Sequence, residues 1–180
     1  MFKRIATILL VVVGLTLGGC VATGGGLNSF VDTTDGYEFL YPNGWVQVKV
    51  SDGPDVVFHD MIEQTENVSV VISPVTKGDK LSDIGTPTEV GYTLSKNAIA
   101  PEGSGRTAEL VNAGKKESPK NTYYLLEYAV TLPNQQKRHD FASIAISRGK
   151  LFTLNVSTSE RRWQKTQNLL EQVVRSFSVY

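Results

Sequence analysis

The sequence predicts an α+β fold, an antiparallel β-sheet with helices packed on its faces. Short segments in which apolar and polar residues alternate fill most of the chain between residues 37 and 156, and turn-forming residues separate them. Apolar residues recur at helical spacing once in the middle of the chain and once at its end. Because the strands come in runs and do not alternate with helices, the pattern excludes a doubly wound nucleotide-binding fold.

The first residues are typical of an export signal that ends in a lipidation site. Lys3 and Arg4 precede an apolar run over residues 5–18, which as a helix reaches about 21 Å and falls short of the ~30 Å hydrocarbon core. Leu-Gly-Gly-Cys at residues 17–20 resembles the bacterial lipobox; the alternative is an ordinary signal peptide with an incidental cysteine. The chain is therefore divided into a lipoprotein signal peptide (1–19), lipidated Cys20 with a flexible glycine-rich tether (20–30), and one domain (31–180).

Composition excludes several classes of function. The chain has 18 basic and 18 acidic residues, and this neutral balance gives no support for nucleic-acid binding. Cys20 is the single cysteine, so an exported chain has no internal disulfide and burial alone must hold the fold. No Gly-x-Ser-x-Gly motif is present, and the carboxylate pairs Asp32/Asp35 and Glu63/Glu66 lie in polar segments that we expect to be solvated. We expect a monomer that is not an enzyme.

The first half of the domain is predicted to contain four strands and a helix. Alternation over 37–41 and 45–50, across a Pro-Asn-Gly turn, predicts a β-hairpin. A turn over 51–54 leads to a third strand over 55–60, and residues 68–72 form the fourth. The helix follows a capping box with proline at its first position, and its inner face repeats at helical spacing. These helix residues are Thr86, Pro87, Glu89, Val90, Leu94 and Ala98.

The second half of the domain is predicted to be a run of strands and a closing helix. Branched and aromatic residues predict strands at 106–111, 122–132, 139–146 and 151–156, with a polar loop at 115–121. A two-residue turn at Arg148-Gly149 joins the last two strands. Ser157 and Glu160 form a second capping box at the closing helix. The inner face of that helix carries Trp163, Gln167, Leu170, Val173, Val174 and Phe177, and we expect Trp45 and Trp163 in the core.

Two stretches of the chain resemble a known family. Residues 36–48 (GYEFLYPNGWVQV) and residues 138–179, with RHDFASIAISRGKLFTLNVSTSERRWQK and then VVRSFSV, are similar to the photosystem II extrinsic protein P family (PsbP). The lipobox makes the chain similar to the cyanobacterial lipoprotein form of that family. The resemblance covers about residues 30–180 and implies a PsbP-like α-β-α sandwich.

The resemblance implies a role in photosynthesis. It implies a lipid-anchored protein on the lumenal side of the thylakoid membrane that supports the assembly or stability of photosystem II and its oxygen-evolving complex. The implied partners are lumenal subunits of photosystem II or its assembly intermediates. Plant members support the calcium and chloride requirement of the oxygen-evolving cluster, so calcium association is implied as well, and no cofactor is expected to be obligatory. The N-terminus of this chain departs from the plant pattern.

Two histidine–carboxylate pairs are candidate metal ligands. If the last two strands join through the two-residue turn, His139 faces Thr158, and Glu160 is its same-face diagonal neighbour at about 7–8 Å. Plant PsbP members have a histidine and an aspartate at these positions, a pair implicated in binding divalent metal. For His139 and Glu160, a weak zinc or manganese site and a surface ion pair or simple solvation both stay open. His59 and Asp60 are a second candidate, although adjacent strand residues point to opposite faces.

Basic residues concentrate near the final hairpin and the start of the last helix. They are Lys137, Arg138, Arg148, Lys150, Arg161, Arg162 and Lys165. Such a cluster is a candidate docking face for an acidic membrane-protein surface, or else an ordinary solvated surface. The leading hypothesis is a non-enzymatic, lipid-anchored partner of photosystem II. The second is a lipoprotein that buffers or delivers zinc or manganese, and the third is an exported enzyme or small-ligand binder.

Overall fold

The computed structural model describes residues 26–51 and 53–180 of the chain. The predicted signal peptide, Cys20 and the first part of the predicted tether lie outside these residues, and so does position 52 in the predicted turn at 51–54. Among the described residues, no helix is both long enough and apolar enough to cross a bilayer.

In the described part of the chain, ten strands form two antiparallel sheets, and three helices pack against them. The strands are β1 (Leu27–Asp32), β2 (Tyr37–Pro42), β3 (Trp45–Val48), β4 (Val56–Asp60), β5 (Asn67–Pro74), β6 (Thr107–Glu117), β7 (Thr122–Thr131), β8 (Lys137–Ser147), β9 (Lys150–Ser159) and β10 (Ser178–Val179). The helices are α1 (Leu81–Ile84), α2 (Pro87–Leu94), which runs on into a π-helical turn at Ser95–Ile99, and α3 (Glu160–Ser176). The large sheet has the strand order β3-β4-β5-β9-β8-β7-β6, and the small sheet has the order β1-β2-β10.

The large sheet lies between two layers and has a core on each face. One core, under α3 and the small sheet, is rich in aromatic residues: Tyr37, Phe39, Phe58, Phe152, Phe177 and the two tryptophans predicted there, Trp45 and Trp163. The other core lies under α1 and α2. β7 contributes to both, because Tyr123 and Leu125 face α3 whereas Tyr124 and Leu126 face α2. The α+β class and the predicted sandwich are confirmed.

The middle helix begins where the sequence predicts it. Thr86 Oγ1 accepts a hydrogen bond from Glu89 N at 3.3 Å, and Glu89 Oε2 accepts one from Thr86 N at 2.8 Å, which completes the capping box. The helix approaches the sheet closely at Gly91, where a Cβ atom would lie 2.8 Å from Leu110 Cδ2. Tyr128 Oη donates to the Gly91 carbonyl at 3.1 Å, so this contact holds α2 against β7.

The prediction for the first strands was wrong in two respects. β2 pairs with β1 and β10 whereas β3 pairs with β4, so residues 37–50 form no hairpin and their two halves lie in different sheets. Alternation shows which face of a strand is buried but does not specify the neighbouring strand. Residues 27–30 were predicted as tether but belong to β1. Phe30 lies 5.3 Å from Phe39 between ring centroids, and this packing holds the segment on the core.

Three further differences concern the second half of the domain. β6 continues to Glu117 through part of the predicted loop at 115–121, because an edge strand can carry polar residues while its backbone pairs with β7. α3 lacks the predicted capping box, since Ser157 still belongs to β9 and Ser159 precedes the helix without a side-chain cap. α1 and β10 were not predicted, because elements of 4 and 2 residues are too short to show a period.

Candidate functional site

The large sheet has two ends that carry different groups. At one end Asn43 N donates to the carbonyl of Gly26, the first described residue, at 2.7 Å. We call this the tether end, because Cys20 precedes Gly26 by six residues. The β2–β3, β4–β5 and β7–β8 turns and the start of α3 lie there, whereas the β1–β2 and β8–β9 turns lie at the opposite, distal end. The 11 residues of β8 separate the two ends, by roughly 33 Å.

His139 at the tether end is held between two carboxylates. It faces Thr158 across the β8–β9 hairpin, as the predicted turn requires, and its side chain is 6% exposed. His139 Nδ1 lies 3.1 Å from Glu160 Oε2, and Nε2 lies 2.8 Å from Glu127 Oε1. The imidazole stacks on Trp163, with 3.8 Å between ring centroids and 10° between planes. The predicted neighbour Glu160 is therefore in contact with His139.

Glu127 is the member of this site that sequence reasoning missed. In the β7–β8 register Ala129 faces His139, so Glu127 is a same-face diagonal neighbour of the histidine on the other side. The same rule that pointed to Glu160 applies here. The rule could not be applied from the sequence, because β7 and β8 are not joined by a two-residue turn, and their register was therefore unknown.

Two chemistries fit the arrangement around His139. An imidazolium, which carries a hydrogen on each nitrogen, donates to Glu127 and Glu160 at once. A neutral imidazole can instead bind a metal ion through Nδ1 together with Glu160, while Glu127 accepts the Nε2 hydrogen and orients the ring. The two carboxylates face opposite ring nitrogens, so they cannot chelate one ion together. A metal here has two protein ligands and completes its shell with water, which is characteristic of weak binding.

His59 and Asp60 do not form a shared site. Asp60 Oδ1 accepts hydrogen bonds from Ile62 N and Glu63 N, both at 2.7 Å, and closes the β4–β5 turn. The Glu63 N–H is the main reason why the pKa of Asp60 is lowered from its usual value. His59 Nδ1 donates to the Asp60 backbone carbonyl at 2.8 Å. The two side chains therefore serve the turn, and the structure does not bring them together as ligands.

Two sets of buried polar contacts lie beside His139, on opposite faces of the sheet. Glu66, expected in a solvated loop, is 2% exposed, so that expectation was wrong. Thr158 Oγ1 donates to Glu66 Oε1 at 2.6 Å, and Arg162 Nε forms an ion pair with the same oxygen at 2.5 Å. Burial raises the pKa of Asp140, while a hydrogen bond from the Ser157 hydroxyl acts in the opposite direction. The contacts of Glu66 join the start of β5 to β9 and α3, and the Asp140–Ser157 bond joins β8 to β9.

The predicted docking residues do not share one face. Arg148 and Lys150 lie at the distal end, where Arg148 donates to the Asp35 carbonyl and Lys150 Nζ lies 2.9 Å from Asp35 Oδ1. The other five lie at the tether end: Arg161, Arg162 and Lys165 begin α3, and Lys137 and Arg138 lie close to them. Sequence proximity grouped residues that the length of the hairpin separates. Docking by the α3 group stays a prediction.

The distal end holds a group of acidic side chains that sequence reasoning did not join. Among the described residues, the one set of three histidine, cysteine or carboxylate side chains with ligand atoms within 4.8 Å of one another is Asp32, Asp35 and Asp55. Tyr37 Oη donates to Asp55 Oδ2 at 2.5 Å, and burial together with this bond raises the pKa of Tyr37. Asp32 Oδ1 accepts from Thr34 N and Asp35 N. These hydrogen bonds to the backbone and to Tyr37 explain why the carboxylates of Asp32, Asp35 and Asp55 lie close together.

Comparison with known proteins agrees with this fold. Residues 25–179 match the family model described as PsbP. Over 184 aligned positions the chain is 51% identical to CyanoP of Thermosynechococcus vestitus, with all of both chains covered. It is 37% identical to PsbP-like protein 1, chloroplastic, of Arabidopsis thaliana, over 82% of this chain and 62% of that protein.

A solved structure gives the same result. The solution structure of cyanobacterial PsbP (CyanoP) from Synechocystis sp. superposes with a TM-score of 0.73 at 46% identity, and the match covers 92% of this chain and 99% of that one. The α+β sandwich, the match to the family model and the 51% identity to CyanoP over the whole of both chains lead to one conclusion. The chain belongs to the PsbP family.

Proposed function

We propose that this protein is a non-enzymatic accessory protein of photosystem II, held on the lumenal side of the thylakoid membrane by an acylated Cys20. It supports the assembly or stability of photosystem II and its oxygen-evolving complex. The observation that carries the proposal is the match to CyanoP, which extends over all of both chains. The lipobox at residues 17–20 supplies the anchor.

The charge distribution at the tether end supports a docking role. Arg161 and Lys165 are exposed at the start of α3 and make no ion pair with another described residue. Such cations steer association with an acidic partner surface, and changing them alters mainly the association rate and its salt dependence. Arg148 and Lys150 at the distal end are already engaged by Asp35, so they are a matched control.

Co-purification tests the proposal. After mild detergent extraction, the mature lipidated protein is expected to recover photosystem II subunits. The charge reversal Arg161→Glu with Lys165→Glu is expected to reduce that recovery, whereas Arg148→Glu with Lys150→Glu is not. Arg162 is left intact because it pairs with buried Glu66. Recovery of no photosystem II subunits by the wild-type protein would overturn the proposal, and equal recovery by both variants would remove the α3 docking surface.

A lipoprotein that carries zinc or manganese is the second candidate, and the geometry of His139 favours it. Zinc titration of the mature chain is expected to shift the His139 imidazole resonances. Removing the ligand in Glu160→Gln or the orienting group in Glu127→Gln is expected to weaken zinc binding, by about 10–100-fold for Glu127. His59→Asn is the matched control and is expected to change nothing. Unchanged His139 resonances in wild-type protein would remove this candidate.

A further inference from the structure

The β4–β5 turn presents two neighbouring apolar side chains to solvent. Ile62 is 95% exposed and Met61 is 60% exposed, and these are the two highest values among the large apolar residues that the structure describes. The turn is held by hydrogen bonds, because Asp60 Oδ1 accepts from the backbone N–H groups of Ile62 and Glu63. The backbone is thus fixed in a form that projects both side chains. Nothing in the described fold packs over Ile62, so its side chain is free to contact a surface outside the domain.

The turn lies next to the point where the chain leads toward Cys20. Met61 N donates to the Gly44 carbonyl at 3.3 Å, and the adjacent Asn43 N donates to the Gly26 carbonyl at 2.7 Å. Two backbone contacts therefore connect the exposed turn to Gly26. Cys20 lies six residues earlier, and six extended residues span at most about 20 Å. An acyl chain on Cys20 therefore holds this end of the domain close to the bilayer surface.

Cations lie on one side of the turn that carries the apolar pair. A half-open cleft beside the turn, with a volume of about 450 Å³, is lined by Glu63, Thr65, Gln136, Lys137, Arg138 and Arg161, among others. Two carboxylates also line the cleft: Glu63 accepts a hydrogen bond from Thr65 Oγ1, and Glu160 contacts His139. Two other acidic groups of this end serve the fold, since Asp60 closes the turn and Glu66 pairs with Arg162. Exposed apolar side chains flanked by cations match the interface of a bilayer, with apolar groups at the acyl boundary and cations at anionic headgroups.

We propose that the β4–β5 turn is a membrane-contact site. Met61 and Ile62 enter the headgroup region of the bilayer that holds acylated Cys20, and the cations Lys137 and Arg161 face anionic lipid headgroups. The acyl chains supply the attachment, and the turn sets the orientation of the domain. The inference rests on the proposed anchoring through Cys20, and it assigns the tether end as the membrane-facing end of the protein.

Site-specific labelling tests this orientation in the lipidated protein. With Cys20 acylated, Ile62→Cys introduces the one free thiol of the mature chain, which takes an environment-sensitive fluorophore. Tyr180→Cys is the matched control, because Tyr180 is 46% exposed and lies at the distal end, where Tyr180 N donates to the Gly36 carbonyl. In vesicles with roughly one-third anionic phosphatidylglycerol, we expect quenching by lipid-borne quenchers at position 62 and none at position 180. Equal exposure to water at both positions overturns the inference.

Two further measurements separate the possible failures. Mass spectrometry of the same sample reports whether Cys20 carries acyl chains. Their absence contradicts the proposed anchor. An acylated protein whose position 62 stays in water instead contradicts the membrane-contact site. Met61→Ser with Ile62→Ser is expected to float with vesicles as wild type does. A label on exposed Asn43 of the neighbouring turn, introduced as Asn43→Cys, is expected to be quenched by lipid when Met61 and Ile62 are present and to lose that quenching in the double-serine variant. If position 62 becomes protected only when photosystem II is added, the turn binds protein and the membrane assignment is wrong.

Discussion

The tether end and the distal end of the large sheet both gather charged residues, but they use them differently. At the distal end the cations Arg148 and Lys150 are bound by Asp35 on the surface. At the tether end the cation Arg162 pairs with buried Glu66, while Arg161 makes no ion pair with another described residue. A charged stretch of sequence therefore says little about docking until its internal partners are known. Only cations that the fold leaves unpaired remain available to a partner.

Burial also separates the two ends. Glu66 is 2% exposed and Asp140 is 9% exposed, whereas Lys150 and Asp35 have side chains that are 47% and 26% exposed. An ion pair in water contributes little, because its attraction is screened and ordering its side chains costs entropy. Removing one partner of a buried pair leaves the other desolvated and unsatisfied. The five predictions below concern these charged groups and the turns at the two ends.

The largest effect is expected from Glu66→Ala. This change leaves Thr158 and Arg162 without their partner, and it should lower the free energy of unfolding by about 2 kcal/mol. Asp35→Ala at the distal end is the matched variant and should cost less than about 1 kcal/mol. Urea denaturation measures both. Equal losses at the two ends would show that burial does not distinguish them.

The pH dependence of stability reports on buried Asp140. Burial raises the pKa of its carboxyl above the unfolded value. Its contribution to stability is therefore full below the unfolded pKa and is lost as pH rises through the folded pKa. Asp140→Asn should gain stability relative to wild type as pH rises above the unfolded pKa of an aspartate, about 3.9, as measured by urea denaturation. A difference that stays constant as pH rises would contradict the raised pKa.

Asp60 should behave in the opposite way. The Glu63 N–H lowers the pKa of its carboxyl, so its contribution is present above the unfolded pKa and is lost as pH falls through the folded pKa. The stability of Asp60→Asn relative to wild type should therefore fall from acid to neutral pH. Opposite slopes for the two aspartates are the expected result in the same denaturation series.

Backbone strain should not distinguish the two ends. Gly44 in the β2–β3 turn has φ +82° and Gly149 in the β8–β9 turn has φ +68°, and a Cβ at either would meet nothing within 4 Å. Gly44→Ala and Gly149→Ala should each cost about 1 kcal/mol, the penalty of a left-handed conformation. Thermal or urea unfolding measures both. A large inequality would mean that one of these turns has a further role.

The smallest effect is expected for Lys150→Ala. It removes one exposed ion pair with Asp35 and should cost less than about 0.5 kcal/mol. Arg161→Ala removes no ion pair within the described residues and should leave stability unchanged. Repeating the denaturation at high salt should erase the difference between the two variants, because salt screens exposed pairs. A difference that persists at high salt would assign Lys150 a packing role.

Much of the architecture could be predicted because it depends on neighbours in the chain. The capping residues Thr86 and Glu89 lie three positions apart, and the two-residue turn at Arg148-Gly149 sets the register that places Glu160 beside His139. Alternation located most strands for the same reason, since a buried face repeats every second residue. It could not say that β2 and β3 lie in different sheets.

The sequence by itself determined the class of fold, the strand positions, the β8–β9 register and the resemblance to PsbP. The tertiary structure decided that Glu66 is buried against Thr158, 92 positions away, that Glu127 completes the His139 site, and that the basic residues divide between two ends. The physical reason is that local periodicity encodes which side of an element is apolar. Contacts between distant segments depend on strand order, which is set only when both faces of the sheet are covered.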